Sequence, residues 1–398
     1  MIKLSKNRIL YLLAFLADFS TFLVIFAVSR DLAEMNASML KMGIVGGGCS
    51  LAYAISSMIF GSLSDRFGRL RLIYLGLTFA LLSGLGCLFL RPDNQIYFLA
   101  YWGYSASLGL IFPPLIAWLN QEQGTHTKSH LIQRVLIRFC FSWNLGLICG
   151  QLLGGFLFPF GREGPLLLAV ILVIVKIALF ALSGKWLHLS QKTNVVEDLE
   201  IENLEVAKSF TTLSWLSNLS GTFSMSMIIH LFPLLAVSLN IPSQQHGIIL
   251  ASVRIIVLLT YFIMYRTQFW HYRYSFTLMM QMAGIIGLIF IIKASSLYTL
   301  IIGLAGVALL VGYNYFSGLY YSSVSRSDAS RGFACGMHEA TLGLGFAAGA
   351  IGGGFVGNLV GTRSPYQLAI LVILAIMIIQ LVIYYRSIKP RQTRRVSQ

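Results

Sequence analysis

The sequence has few charged residues, and acidic ones are the scarcest among them. Of its 398 residues only 11% are charged, with 14 Asp and Glu against 29 Lys and Arg. A soluble domain carries about 25% charged residues, so water is not the solvent for most of this surface. The net charge of +15 does not indicate nucleic acid, because the basic residues stand singly between apolar stretches and form no basic face.

Cysteines and motifs for catalysis or phosphate binding are also scarce. The five cysteines are odd in number and lack metal-ligand spacing, so we interpret them as packing residues rather than a disulfide framework or a metal site. No nucleophile, base and orienting group can be assembled from the sequence, and no Gly-Lys-Ser phosphate loop is present. We therefore expect no enzyme activity, no cofactor, no metal and no nucleic-acid partner.

Long apolar stretches make up most of the chain. Hydrophobic residues account for 57% of it, and they recur in runs of about 20, the length that a helix needs to cross a hydrocarbon core of about 30 Å. The sequence therefore predicts an all-α integral membrane protein. The twelve predicted transmembrane helices cover residues 9–28, 42–60, 70–90, 96–119, 135–158, 165–187, 211–238, 247–265, 275–292, 297–320, 333–359 and 366–385.

Basic residues are unevenly distributed between the two ends of these spans. Both termini fall on one side, which collects 21 of the 29 Lys and Arg residues, whereas the other side holds six and Lys176 and Arg254 lie inside spans. Basic loops stay in the cytoplasm during membrane insertion. We therefore expect both termini to be cytoplasmic, in the inner membrane of a bacterium.

An internal repeat divides the spans into two groups of six. Glycines recur at four-residue spacing in the fifth and eleventh predicted helices, at an offset of 199. At an offset of 200, residues 18–21 of the first helix correspond to residues 218–221 of the seventh. Parallel six-helix repeats are a transporter architecture with the substrate site at their interface. The repeated glycines, expected to pack the two halves together, are Gly146, Gly150, Gly154, Gly345, Gly349 and Gly353.

The only acidic polar stretch separates the two groups and predicts the domain organisation. It contains five Asp and Glu residues between positions 197 and 205 and reads as a solvated linker. We divide the chain into an N-terminal half (1–190), a cytoplasmic linker (191–210) and a C-terminal half with a basic tail (211–398).

The loop after the second predicted helix has the most specific sequence pattern. Residues 61–71, Gly-Ser-Leu-Ser-Asp-Arg-Phe-Gly-Arg-Leu-Arg, resemble the signature loop of the major facilitator superfamily. The resemblance implies that family's fold and a cytoplasmic latch between the halves, in which Asp65 approaches the start of the eleventh helix near residues 331–336. The residues assigned to this latch are Gly61, Asp65, Arg66, Gly68, Arg69 and Glu339.

Two other helices match the family's patterns incompletely. The glycine run of the fifth helix resembles the family's antiporter motif, but Gln151 stands where a proline is expected. In the fourth helix, Tyr101 stands where proton-linked members often carry an arginine. The resemblance therefore leaves the mode of coupling open.

Ionisable residues inside a bilayer are functional candidates, because burying them in hydrocarbon is costly. Asp18 lies halfway along the first helix and is our candidate for proton coupling. Arg254 offers a rigid fork of donors to an anionic substrate or to Asp18. His230 is a weaker candidate, and Lys176 can equally snorkel along its own stem. Glu339 belongs either to the latch or to a proton path.

The polar and aromatic residues of the fourth, seventh and tenth helices are the remaining candidates. In the family the fourth and tenth helices line the cavity, so their side chains would stack on an organic solute and hydrogen-bond it. Packing within the bundle is the equal alternative. These candidates are Tyr101, Trp102, Tyr104, Asn218, Tyr313, Asn314 and Tyr315.

Together the patterns predict a monomeric secondary transporter that moves a small organic solute across the bilayer by alternating access, coupled to protons and directed outward. The alternative within transporters is uptake or facilitated transport of an anionic metabolite. The alternative of another class is a membrane receptor or assembly factor that has the fold and does not transport.

Overall fold

The computed structural model describes residues 6–92, 94–121, 129–188, 204–324 and 331–390, which form only helices and short connections. The helices before residue 200 are α1 (Lys6–Glu34), α2 (Met39–Phe67), α3 (Arg69–Phe89), α4 (Gln95–Gly109), α5 (Phe112–Gln121), α6 (Ser129–Leu157) and α7 (Glu163–His188). Those that follow are α8 (Leu204–Ser226), α9 (Phe232–Ser238), α10 (Ser243–Arg266), α11 (Tyr274–Lys293), α12 (Leu297–Val324), α13 (Arg331–Val360) and α14 (Ser364–Ile383).

Twelve helical spans in the described residues are long and apolar enough to cross a membrane, so the predicted fold class is confirmed. They extend beyond most predicted boundaries, because an apolar window ends where polar residues begin although the helix continues. The second helix, for example, is predicted at 42–60 and extends over Met39–Phe67. Two spans are each built from two helices, α4 with α5 and α8 with α9.

Prolines explain both interruptions. Pro113 and Pro114 at the start of α5 lack the N–H groups that would bond back into the preceding turn, so α4 ends at Gly109. Pro233 at the start of α9 likewise cannot donate, and the residues before it, Met227–Leu231, form a π-helical turn. His230 lies in this wider turn.

The described spans pack as two groups that meet along two helix pairs. Within the first six spans, α1 packs on α6 and α7, and α4 packs on α2 and α3. Within the last six, α8 packs on α12 and α13, and α11 packs on α12 and α14. The main contacts between the groups are α2 with α13 and α6 with α10. We call the two groups the first and second halves.

The predicted linker lies mostly outside the described residues, and its end differs from the prediction. Helix α8 begins at Leu204, seven residues before the predicted start at 211. Val206, Ala207 and Phe210 are buried, and Phe210 packs against Tyr321 with ring centroids 5.5 Å apart. Because these side chains pack against apolar neighbours, the helix includes residues 204–210, which the sequence predicts as part of the solvated linker.

Candidate functional site

A cavity of about 120 Å³ lies between the two halves. Its wall comes from α1, α2, α4, α5 and α6 of the first half and from α8, the π turn, α10, α12 and α13 of the second. Most of the wall is apolar. Its hydroxyl, thiol and ionisable side chains belong to Asp18, Thr21, Cys49, Ser50, Tyr53, Ser105, Thr222, His230, Arg254, Tyr261, Tyr315 and Glu339.

Asp18 and Arg254 bring opposite charges to this cavity from opposite halves. Asp18 is 7% exposed on α1, and Arg254 is 4% exposed on α10. Each interacts electrostatically with the other. Among the described residues, however, neither has a side-chain hydrogen bond or an ion pair within 4.0 Å. The sequence predicts both residues as buried candidates. The structure adds that both face the same cavity and form no hydrogen bond or close ion pair with each other.

An unpaired charge at this depth needs compensation from water, a proton or a ligand, because hydrocarbon offers none. The gap between Asp18 and Arg254 leaves their polar atoms free to take one. The arrangement can therefore bind an anionic group at the guanidinium and a proton or a cationic group at the carboxylate.

Glu339 lies in the cavity wall on α13 and bonds to both halves. Its Oε2 accepts a hydrogen bond from the hydroxyl of Tyr53 at 2.6 Å, across the interface. Its Oε1 accepts from the hydroxyl of Tyr315 on α12 at 3.1 Å. Both roles that the sequence left open for Glu339, the latch and a proton path, stay predictions.

His230 also reaches the cavity, from the π turn of the second half. Its Nε2 lies 3.4 Å from the hydroxyl of Ser50 on α2, and its Nδ1 has no partner among the described residues. A Cβ on Gly46 of α2 would collide with the imidazole ring. The histidine is therefore a contact between halves as well as a polar group in the wall.

Aromatic rings form the face of the cavity nearest to α6, α10 and α12. Trp143 packs at 5.1 Å on Tyr315 and at 6.4 Å on Tyr261, measured between ring centroids. Phe139 lies on the same side of α6 as Trp143, one turn away, and also lines the cavity. Such a wall suits the apolar or π-bonded body of an organic molecule.

Several predicted residues lie outside the cavity lining. Tyr101 and Tyr104 are buried within the first half. Tyr313 shares a 2.9 Å hydrogen bond with Thr277 of α11. The candidate Tyr315 does line the cavity, as does Ser105 beside Tyr104, because residues one or two positions apart on a helix face different directions.

Asn218 and Asn314 also act within the second half. Asn218 donates to the hydroxyl of Thr341 at 3.2 Å, and Asn314 donates to the carbonyl of Ser217 at 2.7 Å. The counterpart of Asp18 is not Asn218, because the helix contacts repeat at an offset of 204 rather than 200. At that offset Asp18 corresponds to Thr222, which does line the cavity.

The glycine contacts establish this offset. A Cβ on Gly150 would meet the carbonyl of Phe19 on α1, and a Cβ on Gly349 would meet the carbonyl of Phe223 on α8. Phe19 and Phe223 differ by 204, whereas Gly150 and Gly349 differ by the 199 found in the sequence. Equivalent residues of the first and seventh spans are therefore 204 positions apart, whereas those of the fifth and eleventh are 199 positions apart.

The six predicted glycines make close contacts inside each half. Those of α6 lie against α1, and those of α13 lie against α8 and the π turn. The sequence predicts that these glycines pack the two halves together. In each helix they lie on one face, because residues spaced by four share a face, and that face is turned to a neighbouring helix of the same half. The next residues along, Gly155 and Gly354, face the other half: Gly155 meets Gly247 of α10, and Gly354 meets Gly43 of α2.

These two glycine pairs lie on the side opposite the termini, where they bring the backbones of the two halves together. On the same side, Arg30 of α1 donates to the carbonyl of Ile241 across the interface at 3.1 Å. Because no side chain separates the backbones at the glycine pairs, the halves approach as closely as two helices can.

The loop predicted as a latch is only partly described. Gly68 adopts φ +89, a conformation that favours glycine, between α2 and α3. Gly61 is buried, Arg66 is exposed and Arg69 is partly exposed. The side chains of Asp65 and of residues 331–336 lie outside the described residues, so the predicted latch contact stays a prediction.

Sequence reasoning missed Tyr53, Trp143 and Tyr261. Tyr53 shares a helix face with Gly46 and Ser50, at spacings of four and three, so a search for polar or small residues on one face of the second helix finds it. Trp143 and Tyr261 stand among apolar neighbours, and no spacing in the sequence separates them from bundle packing.

The family can now be stated. Residues 10–213 match the family model described as Major Facilitator Superfamily, which is just over half of the chain. The chain belongs to the major facilitator superfamily. A solved structure, that of the human organic anion transporter MFSD10 (TETRAN), has the same fold with a TM-score of 0.69 and 13% identity, covering 95% of this chain and 100% of that one.

Two curated relatives are similar over part of their length. The cis,cis-muconate transport protein of Acinetobacter baylyi is 30% identical over 158 residues, which is 38% of this chain and 37% of the relative. The MFS-type transporter SLC18B1 of Rattus norvegicus is 34% identical over 139 residues, 31% of this chain and 30% of the relative. The matched segments thus span about a third of each relative.

Proposed function

We propose that this major facilitator protein is a secondary transporter that carries a small organic solute by alternating access. The observation that supports it most is the cavity between the halves, into which Asp18 and Arg254 project from opposite sides of the interface without a partner. A site shared by two halves changes its exposure when the halves rock, which is the basis of alternating access in such repeats.

Proton coupling through Asp18 is the second part of the proposal. A protonated Asp18 is neutral, so Arg254 is then available to an anionic group of the solute. An ionised Asp18 attracts Arg254 and competes with that group. The solute and the proton state of Asp18 thereby control one another, and a pH gradient can drive the solute.

Export is the direction that we propose, with both termini in the cytoplasm of a bacterial cell and the chain acting as a monomer. The support is the antiporter-like glycine run of α6, whose residues let α6 and α1 touch along their length, and the excess of Lys and Arg on the terminal side of the spans.

Uptake or facilitated transport of an anionic metabolite is the second candidate function. It is favoured by the unpaired guanidinium of Arg254 in a wall that is mostly apolar. The names of two similar proteins point to the same chemistry, since cis,cis-muconate is an unsaturated dicarboxylate and MFSD10 is named as an organic anion transporter.

Transport into proteoliposomes tests both candidates. We expect uptake of one probe, either cis,cis-muconate or the lipophilic cation tetraphenylphosphonium, to depend on a pH gradient in the wild type. The sign of the gradient that drives the probe gives the direction. Asp18→Asn is expected to remove the dependence on the gradient while leaving downhill exchange.

Two exposed residues supply matched controls. Glu163→Gln makes a carboxylate-to-amide change outside the cavity, and Arg91→Gln removes an exposed guanidinium.

Arg254→Gln is expected to weaken binding of the anionic probe at least about tenfold, because one charge-assisted contact is lost. An unchanged pH-gradient dependence in Asp18→Asn would refute coupling, and a protein that moves neither probe nor any solute of a broad screen would favour a receptor.

A further inference from the structure

A second basic side chain lies in the middle of the first half, outside the cavity. Lys176 stands halfway along α7, a helix whose other side faces lipid, yet Lys176 is only 1% exposed. Its stem does not snorkel to either end of the helix. The ammonium points inward and donates to the hydroxyl of Ser20 on α1 at 2.8 Å.

This environment offers the ammonium little compensation. An ammonium has three donors, and its one hydrogen bond among the described residues goes to a neutral hydroxyl. Among the described residues, the charged group that acts on Lys176 is Asp18, two residues before Ser20 on the same helix. Two residues make just over half a turn, so Asp18 faces the cavity while Ser20 faces α7. Lys176 therefore approaches Asp18 from the side of α1 that faces away from the cavity.

Three charged groups act on Asp18, and they differ in which half carries them. Arg254 on α10 and Glu339 on α13 belong to the second half, whereas Lys176 on α7 belongs to the first. The other titratable groups of the cavity wall are Cys49, Tyr53, His230, Tyr261 and Tyr315. When the halves rock, the distances from Asp18 to the second-half groups change and the distance to Lys176 does not.

We propose that Lys176 is a positioning residue for proton coupling, a cation held at a constant distance behind Asp18 that sets the pH at which Asp18 exchanges its proton, while Arg254 supplies the interaction that varies through the transport cycle. This rests on the proposed coupling role of Asp18 and deepens it. Without the fixed cation, an ionised Asp18 would lose its charge compensation whenever Arg254 withdrew, and the carboxyl would keep its proton in that state.

A direct titration of Asp18 tests the proposal without any substrate. Infrared difference spectra of the purified protein, recorded from about pH 4 to about pH 10, contain a carboxylic-acid band that is assigned to Asp18 by its loss in Asp18→Asn. We expect Lys176→Gln to move the midpoint of this band upward by at least about one pH unit, because an opposite charge nearby favours the ionised acid. Lys176→Arg keeps the charge and is expected to leave the midpoint within a few tenths of a unit.

Two controls separate charge from structure. Ser20→Ala removes the hydrogen bond and keeps the lysine, so it is expected to move the midpoint by less than Lys176→Gln does. Lys293→Gln makes the same change at an exposed position at the end of α11. In thermal unfolding, the effects of Lys176→Gln and Asp18→Asn are expected to be non-additive, with the double variant more stable than the sum of the single losses predicts.

The proposal is overturned if Lys176→Gln leaves the midpoint unchanged, if Ser20→Ala reproduces the shift, or if no Asp18-dependent band titrates in this range. The additive outcome in thermal unfolding would also overturn it, and that measurement remains available should the band be too weak in Lys176→Gln. Because neither readout involves transport, failure of the proposed transport function is recognised separately, by proteoliposomes in which Asp18→Asn behaves as the wild type.

Discussion

At the scale of single residues, the cavity contains charges that the fold keeps apart. Asp18, Arg254 and Glu339 lie in one wall, but only Glu339 is satisfied by hydrogen bonds, from Tyr53 and Tyr315. A buried charge on a helix costs about 2.5 to 3.5 kcal/mol on insertion scales. Direct pairing of Asp18 with Arg254 would offset part of this cost, and the structure holds the two side chains apart.

The Tyr53 bond predicts a difference between two conservative variants. Tyr53→Phe removes a bond between halves, worth about 1 kcal/mol or more to an acid, whereas Tyr315→Phe removes a bond within the second half. We expect Tyr53→Phe to speed the modification of Glu339 by a hydrophobic carbodiimide severalfold, and Tyr315→Phe to have a smaller effect. Mass spectrometry of the labelled peptide measures the rates, and equal rates in both variants would contradict this account of the interface.

At the scale of elements, the connection between α10 and α11 packs into an aromatic cluster formed by Trp270, His271, Tyr320 and Tyr321. Trp270 donates through Nε1 to the carbonyl of Met264 at 2.8 Å and packs on Tyr320 and Tyr321. His271 stacks on Tyr320 with ring centroids 4.7 Å apart. This connection occupies the position in the second half that the predicted latch loop occupies in the first, and aromatic packing and hydrogen bonds stabilise it.

Burial in this aromatic cluster lowers the pKa of His271 to about 4. The unfolded chain binds this proton below about pH 6.5, so the unfolded state takes up more protons and the free energy of unfolding falls as the pH drops from about 6.5 to about 4. We predict that His271→Gln flattens the decrease of the melting temperature over this interval.

A neighbouring residue provides the comparison for this measurement. Burial raises the pKa of Tyr272 to about 12, far from the interval, so Tyr272→Phe is expected to leave the slope of melting temperature against pH unchanged. If His271→Gln and the wild type lose stability in parallel between pH 6.5 and pH 4, other groups account for the acid sensitivity.

At the scale of the whole molecule, the halves touch most closely on the side opposite the termini. The Gly43–Gly354 and Gly155–Gly247 contacts place backbone against backbone there. Rocking must separate both pairs at once, because they lie on the two helix pairs that form the interface.

Enlarging one of these glycines is therefore expected to shift the population towards opening on this side. A Cβ on Gly247 would lie 2.5 Å from the carbonyl of Gln151, so Gly247→Val cannot keep the present approach. Cys49 in the cavity wall reports the change. With the other four cysteines replaced by serine, we expect a membrane-impermeant maleimide added on the side opposite the termini to label Cys49 at least severalfold faster in Gly247→Val.

Gly287 provides the matched control for this experiment. A Cβ there would lie 2.5 Å from the carbonyl of Gly303, but both residues belong to the second half, on α11 and α12. Gly287→Val is expected to lower stability without faster labelling. Equal acceleration in both variants would mean that general loosening, rather than opening between halves, exposes Cys49.

The sequence by itself determined the solvent, the number of spans and the family resemblance. Each follows from local patterns: apolar runs of membrane-crossing length, a repeat at half the chain length, and one loop of eleven residues. Asp18, Arg254 and His230 were found for the same reason, since a charged or polar residue inside an apolar run stands out without knowledge of its neighbours.

Only the tertiary structure decided which side chains share the cavity and which glycines join the halves. Tyr315 lines the cavity while Tyr313 bonds to α11, although both are tyrosines of one helix, because the direction a side chain takes depends on how its helix is rotated against its neighbours. The bond from Tyr53 to Glu339 joins residues 286 positions apart. No local pattern records such a pairing, because it arises from the packing of the two halves.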